Sequence, residues 1–529
     1  MTAAGYQADA IVIGAGHNGL VAAAYLAKAG LKVTVLEAAP QVGGAAVTRE
    51  FVPGYKVSGV AHLLHGLHPT IVRDLGLARH GLDLRAQRVS TRSLLPGGRS
   101  FQADPASIAA LSRADADAYP AVMARLTRMA DALAAYALHT PPRPDVMRMD
   151  WQAKLNLGRF AWGLRRLGRK DLLELTRILT MNVNDLANDY FENEPVRGLL
   201  CFEGILGLAL GPRSPSTVFN LLYRLSGFGA NGQGGFLLPR GGMGTVALAL
   251  VKVAQAAGAT IRTGVSVDRI LIENDAAAGV VLSTGEELRA PRVVSNADPQ
   301  RTALQLIGPQ NLDTMFVSRI RHMRMNGCAA KIHLALDGLP EALAAARGRV
   351  VVAPKPDEIE RAYDCAKYGS VSDRPALELT IPSLDDPSLA PAGKHVASIV
   401  AQYCPYRLRE TPVNTARRQI GERSLAVLEE VAPGLKQRVT SMEVLTPHDL
   451  EAQFGMTGGQ WHHGEITLDQ VLFLRPAGQA QDYRMPVPGV YLCGAGAHPG
   501  GNISGAPGYN AAREILKDAR AQKRLMGAA

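Results

Sequence analysis

Apolar and polar positions alternate with two different periods along the chain. At the N-terminus an apolar run, Ala10–Ile13, meets a glycine-rich turn, then an alanine-rich stretch with helical spacing, then a second run, Lys32–Leu36; the pattern predicts strand, helix, strand. Residues 86–234 lose this alternation and read as mostly helical. Within them Leu157, Phe160, Leu164 and Leu167 recur at helical spacing while Arg159, Arg166, Arg169 and Lys170 fall opposite, predicting one basic amphipathic helix over 155–170 with Trp162 at its boundary. Residues 234–299 open on a glycine turn and a helix, followed by short strands at Thr260–Arg262, Val265–Glu273, Gly279–Leu282 and Arg292–Ser295. Mixed structure returns over 300–460, where "CAAKIHLAL" and "KHVASIVAQYC" read as strands able to floor a cavity. The last apolar run, Val490–Cys493, leads through another glycine turn into a C-terminal helix.

A chain of 529 residues exceeds one ordinary core, so two or three structural units are expected. No run is long and apolar enough for a spanning helix, and no charged leader precedes an apolar h-region, so a secretory signal is not expected. The chain is expected to be cytoplasmic, or to lie peripherally on the inner face of a membrane. Formal charge is +10, with the basic residues scattered and no nucleic-acid-binding signature, so nucleic acid is not an expected partner. Cys201, Cys328, Cys365, Cys404 and Cys493 lie far apart, which argues against a disulfide framework, a metal site and a dithiol redox centre.

The first turn carries the chemistry. Gly14, Ala15, Gly16, His17, Asn18 and Gly19 make GxGxxG between strand and helix, giving a tight turn, bare backbone for a pyrophosphate and close helix–strand packing. Glu37, 21 positions after Gly16, stands where an acid accepts hydrogen bonds from an adenosine ribose, with Ala38 beside it. "GGMG" over 241–244 is no second fingerprint, because Pro239 and Arg240 precede it instead of an apolar strand. Near the C-terminus Gly494 leaves only 35 residues after it, too few for another βαβ unit, and Pro499 interrupts the turn. One cofactor held by both chain ends is therefore expected rather than two.

Gly43 and Gly44, a second glycine turn after Glu37, resemble the extended fingerprint of amine oxidase-like and phytoene desaturase-like flavoproteins; Ala45 and Ala46 replace the arginine usual there. "AGATIRTGVSV", "VVSNADP", "GEITLDQVLFLRP" and "HPGGNISGAPGYNAAR" extend the resemblance over nearly the whole chain, to phytoene desaturase-related FAD oxidoreductases. Within them the chain is most similar to the branch of the FAD-dependent β-carotene ketolases and the eukaryotic proteins called pyridine nucleotide-disulfide oxidoreductase domain-containing protein 2. The resemblance implies an α/β fold: a Rossmann-type FAD-binding domain from residues 1–85, 235–300 and 465–529, and an α+β substrate domain with a mixed sheet and a helical part from 86–234 and 301–464. It also implies non-covalent FAD, with Ala45 and Val265 beside it, Gly494 near the pyrophosphate, and Asn502 and Ile503 offering helix-terminal N–H groups to the flavin.

The implied reaction moves a hydride between an apolar, isoprenoid- or carotenoid-like substrate and flavin N5, with oxygen or a quinone as acceptor, since no NAD(P) domain is evident. A scaffold flavoprotein acting through partners is the alternative, and homo-oligomerisation is left open. His498 is the candidate catalytic residue; His62, His65, His68, Gln460, Trp461, His462, His463, Glu465 and Arg475 are secondary candidates around it.

Overall fold

A computed structural model describes residues 6–83, 89–142, 151–226 and 235–528. The expected boundaries at 85/86 and 234/235 fall on or beside residues outside that range. Four strands from distant stretches of chain assemble beside Ala10–Ile13 in one parallel sheet, in the order Val490–Leu492, Val293–Ser295, Ala10–Ile13, Val33–Glu37, Thr260–Thr263. Ala10, Ile11, Val12 and Ile13 are all buried, as strands of a doubly covered parallel sheet require. Helices His17–Lys28, Gly244–Ala256 and Ala506–Ala528 pack on one another around it. Both ends of the chain thus belong to this layer. An antiparallel sheet of three strands, Val267–Glu273, Ala276–Leu282 and Glu287–Arg289, sits alongside.

A second, seven-stranded sheet runs in the order Val439–Leu445, Ala329–Leu336, His395–Gln402, Ala376–Thr380, Arg349–Val352, Thr91–Leu94, Ser100–Gln102. Its pairings are antiparallel except Arg349–Val352 with Thr91–Leu94, so the sheet is mixed. One face buries Ile332, Leu377 and Ile399 under the helix Val413–Val431. The other face lies under helices Arg113–Ala134, Glu194–Ile205 and Thr217–Leu225, whose cluster includes Leu126, Phe202 and Leu221. The last two strands of this order, both after residue 90, are absent from the helical reading of 86–234. They are short and partly polar, "TRSL" and "SFQ", so their signal is the sheet they complete rather than their own periodicity.

The amphipathic helix is also corrected. It divides into Trp151–Arg165 and Gly168–Ile178, because Gly168 takes a left-handed conformation (φ 81°). Leu157, Phe160 and Leu164 are half-buried, with Phe160 5.1 Å from the Tyr136 ring. Trp151 and Trp162 point the other way, 78% and 63% exposed.

Candidate functional site

At the end of Ala10–Ile13 the chain turns at Gly14, with φ 93°, and enters the helix at His17. A side chain at Gly19 would meet the Gly14 carbonyl oxygen at 2.3 Å, and one at Gly16 would meet Asn296 Nδ2 at 2.7 Å. The second glycine turn folds over the first: Gly43 N–H donates to the Ala15 carbonyl at 2.9 Å, and a Cβ on Gly44 would lie 3.5 Å from Gly16 Cα. Two bare backbone turns facing one another leave a crevice of the kind a pyrophosphate enters. Glu37 closes it, taking Ala15 N–H on Oε2 at 2.6 Å and Ala39 N–H on Oε1 at 2.9 Å. Each carboxylate oxygen keeps a second lone pair, so a ribose hydroxyl can still be bound.

A cavity of about 680 Å³ begins here. Gly14, Gly16, His17, Asn18, Glu37 and Ala38 line it. Gly44, Ala45, Val265, Asn502 and Ile503 line it as well. Ala15, Gly19, Gly43 and Gly494 stand behind its wall, where they shape the turns; a Cβ on Gly494 would meet the Asn296 carbonyl at 2.6 Å. These residues fit FAD, with Gly14, Gly16, Gly44, Glu37 and Asn296 the ones to hold it.

Several expectations need correction. Asn502 and Ile503 do not begin a helix, which starts only at Ala506, and Ile503 N–H already donates to Asn502 Oδ1 at 2.7 Å. Val265 donates its N–H to the Glu37 carbonyl at 2.8 Å, so a contact to adenine falls to its carbonyl or side chain. His498 does not line the cavity; its ring Nε2 lies 3.2 Å from the Tyr136 carbonyl, and burial lowers its pKa to about 4. It is a structural residue in this geometry. His68 is another, accepting Thr70 N–H at 3.1 Å to cap the helix Pro69–Asp74. The "GGMG" helix is closed to anions: Thr48 Oγ1 takes Gly244 N–H at 2.8 Å and Ser58 Oγ takes Met243 N–H at 3.1 Å.

Arg475 is fully buried and lies outside the lining, yet it builds the site's rim. Its guanidinium donates to the carbonyls of His462, Gly464, Glu465, Gln470 and Ala495. This fastens the loop bearing His462 and His463 beside Ala495, and all three line the cavity. Burial lowers the Arg475 pKa to about 10. Burial also raises that of Glu465, against the attraction of Arg324.

Beyond the crevice the cavity reaches the large sheet, and its wall becomes mixed. Val60, Leu206, Val400 and Phe454 line it together with His62, His65, Arg224 and Glu378. Glu378 Oε1 meets His62 Nε2 at 2.9 Å, Glu378 Oε2 takes Arg349 Nε at 2.5 Å, and Lys331 Nζ lies 2.7 Å from His62 Nδ1. Burial acts to raise the Glu378 pKa, but Arg349 and the His62 hydrogen bond hold it well below the carboxylate range. Burial lowers His62 to about 4, helped by Lys331, and His65 to about 3, helped by Arg224. A charged Glu378 takes the His62 Nε2–H, so His62 is neutral and its Nδ1 accepts from Lys331. Arg224, Arg349, Lys331 and Glu378 were not among the expected site residues. They occupy a helix and three separate strands, and no local motif joins them.

The model of a protein family described as flavin containing amine oxidoreductase matches residues 19–516. The rat protein called pyridine nucleotide-disulfide oxidoreductase domain-containing protein 2 is 37% identical, across 96% of this chain and 93% of its own. A phytoene desaturase (neurosporene-forming) from Cereibacter sphaeroides is 25% identical, across 96% and 93%. Among solved structures, cyclohexylamine oxidase from Brevibacterium oxydans superposes with a TM-score of 0.58 at 17% identity, across 97% of this chain and 99% of that one, which shows a shared fold. With the paired glycine turns, Glu37 and this match over most of its length, the chain belongs to the flavin containing amine oxidoreductase family and is an FAD-dependent oxidoreductase.

Proposed function

We propose that the chain dehydrogenates an apolar molecule of isoprenoid or carotenoid-like character. Bound FAD supplies the hydride acceptor, its N5. One observation carries the reading: the cavity that starts at the dinucleotide crevice continues to the seven-stranded sheet, with Val47, Val60, Leu63, Leu206, Val400 and Phe454 along it. These side chains exclude water and hold an apolar skeleton by burial alone. His62 and His65, kept neutral by burial, do not add charge that would repel such a skeleton. Oxygen or a quinone is the proposed acceptor, since the "GGMG" helix terminus that might have met a nicotinamide dinucleotide is capped by Thr48 and Ser58.

The test is anaerobic addition of terpene, polyene and alicyclic probes to the purified yellow protein, following flavin absorption near about 450 nm. Bleaching by an apolar probe is the expected result. A flavin-loaded protein that no probe bleaches would instead act as a scaffold through protein partners.

We also propose that this reaction runs on an anionic membrane surface. Trp151, Leu155, Gly158 and Trp162 form one stripe of the helix Trp151–Arg165, bordered by Lys154, Arg159 and Arg166 around a shallow groove. Exposed tryptophans beside cations suit the boundary between headgroups and acyl chains. Among the described residues no helix is long and apolar enough to cross a membrane, so the contact would be peripheral. The protein should co-sediment with phosphatidylglycerol-containing vesicles and not with phosphatidylcholine alone, and W151S/W162S should abolish this; unchanged sedimentation of the variant would refute it.

A further inference from the structure

The two glycine turns give a diphosphate room and backbone N–H groups, but no cation. The helix His17–Lys28 holds no Lys or Arg before its last residue, and the second glycine pair is followed by Ala45 and Ala46. Ala15 N–H is taken by Glu37 Oε2 at 2.6 Å, which also sets a carboxylate at the crevice. Both phosphates of a dinucleotide are ionised at neutral pH, so a positive side chain close to the turns would stabilise them.

Among the described residues, the charged side chains that line the cavity are Glu37, Arg49, Arg224, Glu378 and Arg301. All but the last are engaged. Glu37 takes two backbone N–H groups, Arg49 pairs with Glu443 at 2.5 Å, Arg224 with Glu203 at 3.0 Å, and Glu378 with Arg349 at 2.5 Å. The half-buried Arg301 guanidinium has neither a hydrogen bond nor an ion pair among the described residues, and none of its nitrogens is sealed from solvent. Its backbone, by contrast, is fixed. The buried Asp298 takes Arg301 N–H on Oδ1 at 2.9 Å and the Thr457 hydroxyl on Oδ2 at 2.6 Å. These bonds clip the start of the short helix Arg301–Ile307 to the turn Thr457–Gly459, and they occupy the acid that stands closest in sequence.

Two neighbours place the guanidinium. A Cβ on Gly455 would lie 3.0 Å from Arg301 Nη1, and Gly455 lines the cavity. The preceding Phe454 packs with Ala45 in one cluster with Val60 and Met456, so this wall adjoins the second glycine turn. Asn296, five positions before Arg301, touches the first turn: a Cβ on Gly16 would meet its Nδ2 at 2.7 Å. The loop that carries Arg301 therefore runs from one glycine turn towards the wall beside the other.

We propose that Arg301 is a cofactor-binding residue whose guanidinium donates to the diphosphate of FAD, supplying the positive charge that neither glycine turn contains. A planar fork matches phosphate oxygens, and such charge-assisted bonds are the strong ones. The inference concerns the cofactor alone and stands whatever the substrate.

The experiment titrates FAD into deflavinated protein at low and at high salt, following the quenching of flavin fluorescence. At low salt Arg301→Gln should weaken FAD binding at least about tenfold, the scale of a hydrogen bond between charged groups. Arg301→Lys, which keeps the charge and loses the fork, should fall between the two. Raising the salt should weaken binding more in wild type than in Arg301→Gln, because only wild type has the charge pair to screen. The urea midpoint of the apoprotein should be the same in both, since the guanidinium has no partner within the protein. FAD affinity unchanged in Arg301→Gln overturns the proposal and leaves the cation to some other anion, such as a substrate carboxylate. Equal salt dependence in wild type and variant overturns it as well, and so does a loss of apoprotein stability that accounts for the weaker binding. Arg301→Met, which keeps the apolar stem, is read in the same way if Arg301→Gln does not fold.

Discussion

The two ends of the cavity are made in opposite ways. The dinucleotide end is backbone: glycines that leave room, N–H groups, and a single carboxylate, with Gly14 to Glu37 supplied by one continuous stretch. The far end is side chain: Glu203, Arg224, Arg349 and Glu378, carried by two helices and two strands and joined by ion pairs. A backbone site tolerates no added atom but is indifferent to charge. A side-chain site tolerates changes of shape but fails when one charge is left without its counterpart.

Four perturbations sharpen that contrast. The largest effect is expected from Gly19→Val, whose Cβ alone would overlap the Gly14 carbonyl at 2.3 Å. Protein recovered without flavin is the predicted outcome, read from absorbance after gel filtration, and a yellow variant would show that the turn yields. Next comes acid. His17, His62 and His498 have folded pKa values lowered to about 4 and His65 to about 3, first of all by burial. The unfolded chain takes up these protons near pH 6.5, so stability falls as pH drops from about 6.5 towards about 4, by up to about 1.4 kcal/mol per pH unit for each histidine. Urea unfolding across that window measures it, and a flat profile would mean that these rings meet water. His17 stands at the glycine end and His62 and His65 at the far end, so hydrogen exchange should rise at both ends as the pH falls.

Third is Glu378→Gln, which leaves Arg349 and Arg224 short of a counter-charge; a loss of about 3–5 kcal/mol is expected in denaturant titrations. A loss below about 1 kcal/mol, the scale of a surface pair, would mean these charges are solvated. The smallest effect is Glu37→Ala, expected to weaken FAD binding by about 1.5–3 kcal/mol in dissociation measurements. Unaltered FAD affinity would remove Glu37 from the ribose.

The same contrast decides what was legible in the sequence. GxGxxG, Glu37, Gly43 and Gly44 are local, each spacing tied to one backbone demand, and the structure gathers them in one crevice. Gly494, Asn502 and Ile503 were legible in place but not in detail, because the helix begins later and side-chain capping takes an N–H that the pattern left free. His498 was singled out by its position in a glycine-rich turn, yet three-dimensional packing gives its ring a carbonyl partner behind the wall. Arg224, Arg349 and Glu378 each look like ordinary charged residues in their own elements. Their meaning arises only when the strand pairing of Arg349–Val352 with Ala376–Thr380 sets Arg349 and Glu378 diagonally across from one another, with Phe236 over Arg349. Long-range pairing has no one-dimensional signal to read.

Arg475 bears on how such a protein could be rewritten. All five of its partners are main-chain carbonyls, and every amino acid carries one. Of these positions, Gly464 is held by its backbone at φ 129°, and Glu465 and Gln470 by their side-chain bonds to Arg324, whereas 462 and 495 serve Arg475 through main chain alone. The cavity wall at 462 is in effect a replaceable surface hung on one peg. Directed evolution aimed at a new substrate should begin at position 462 and leave 464, 465, 470 and 475 untouched.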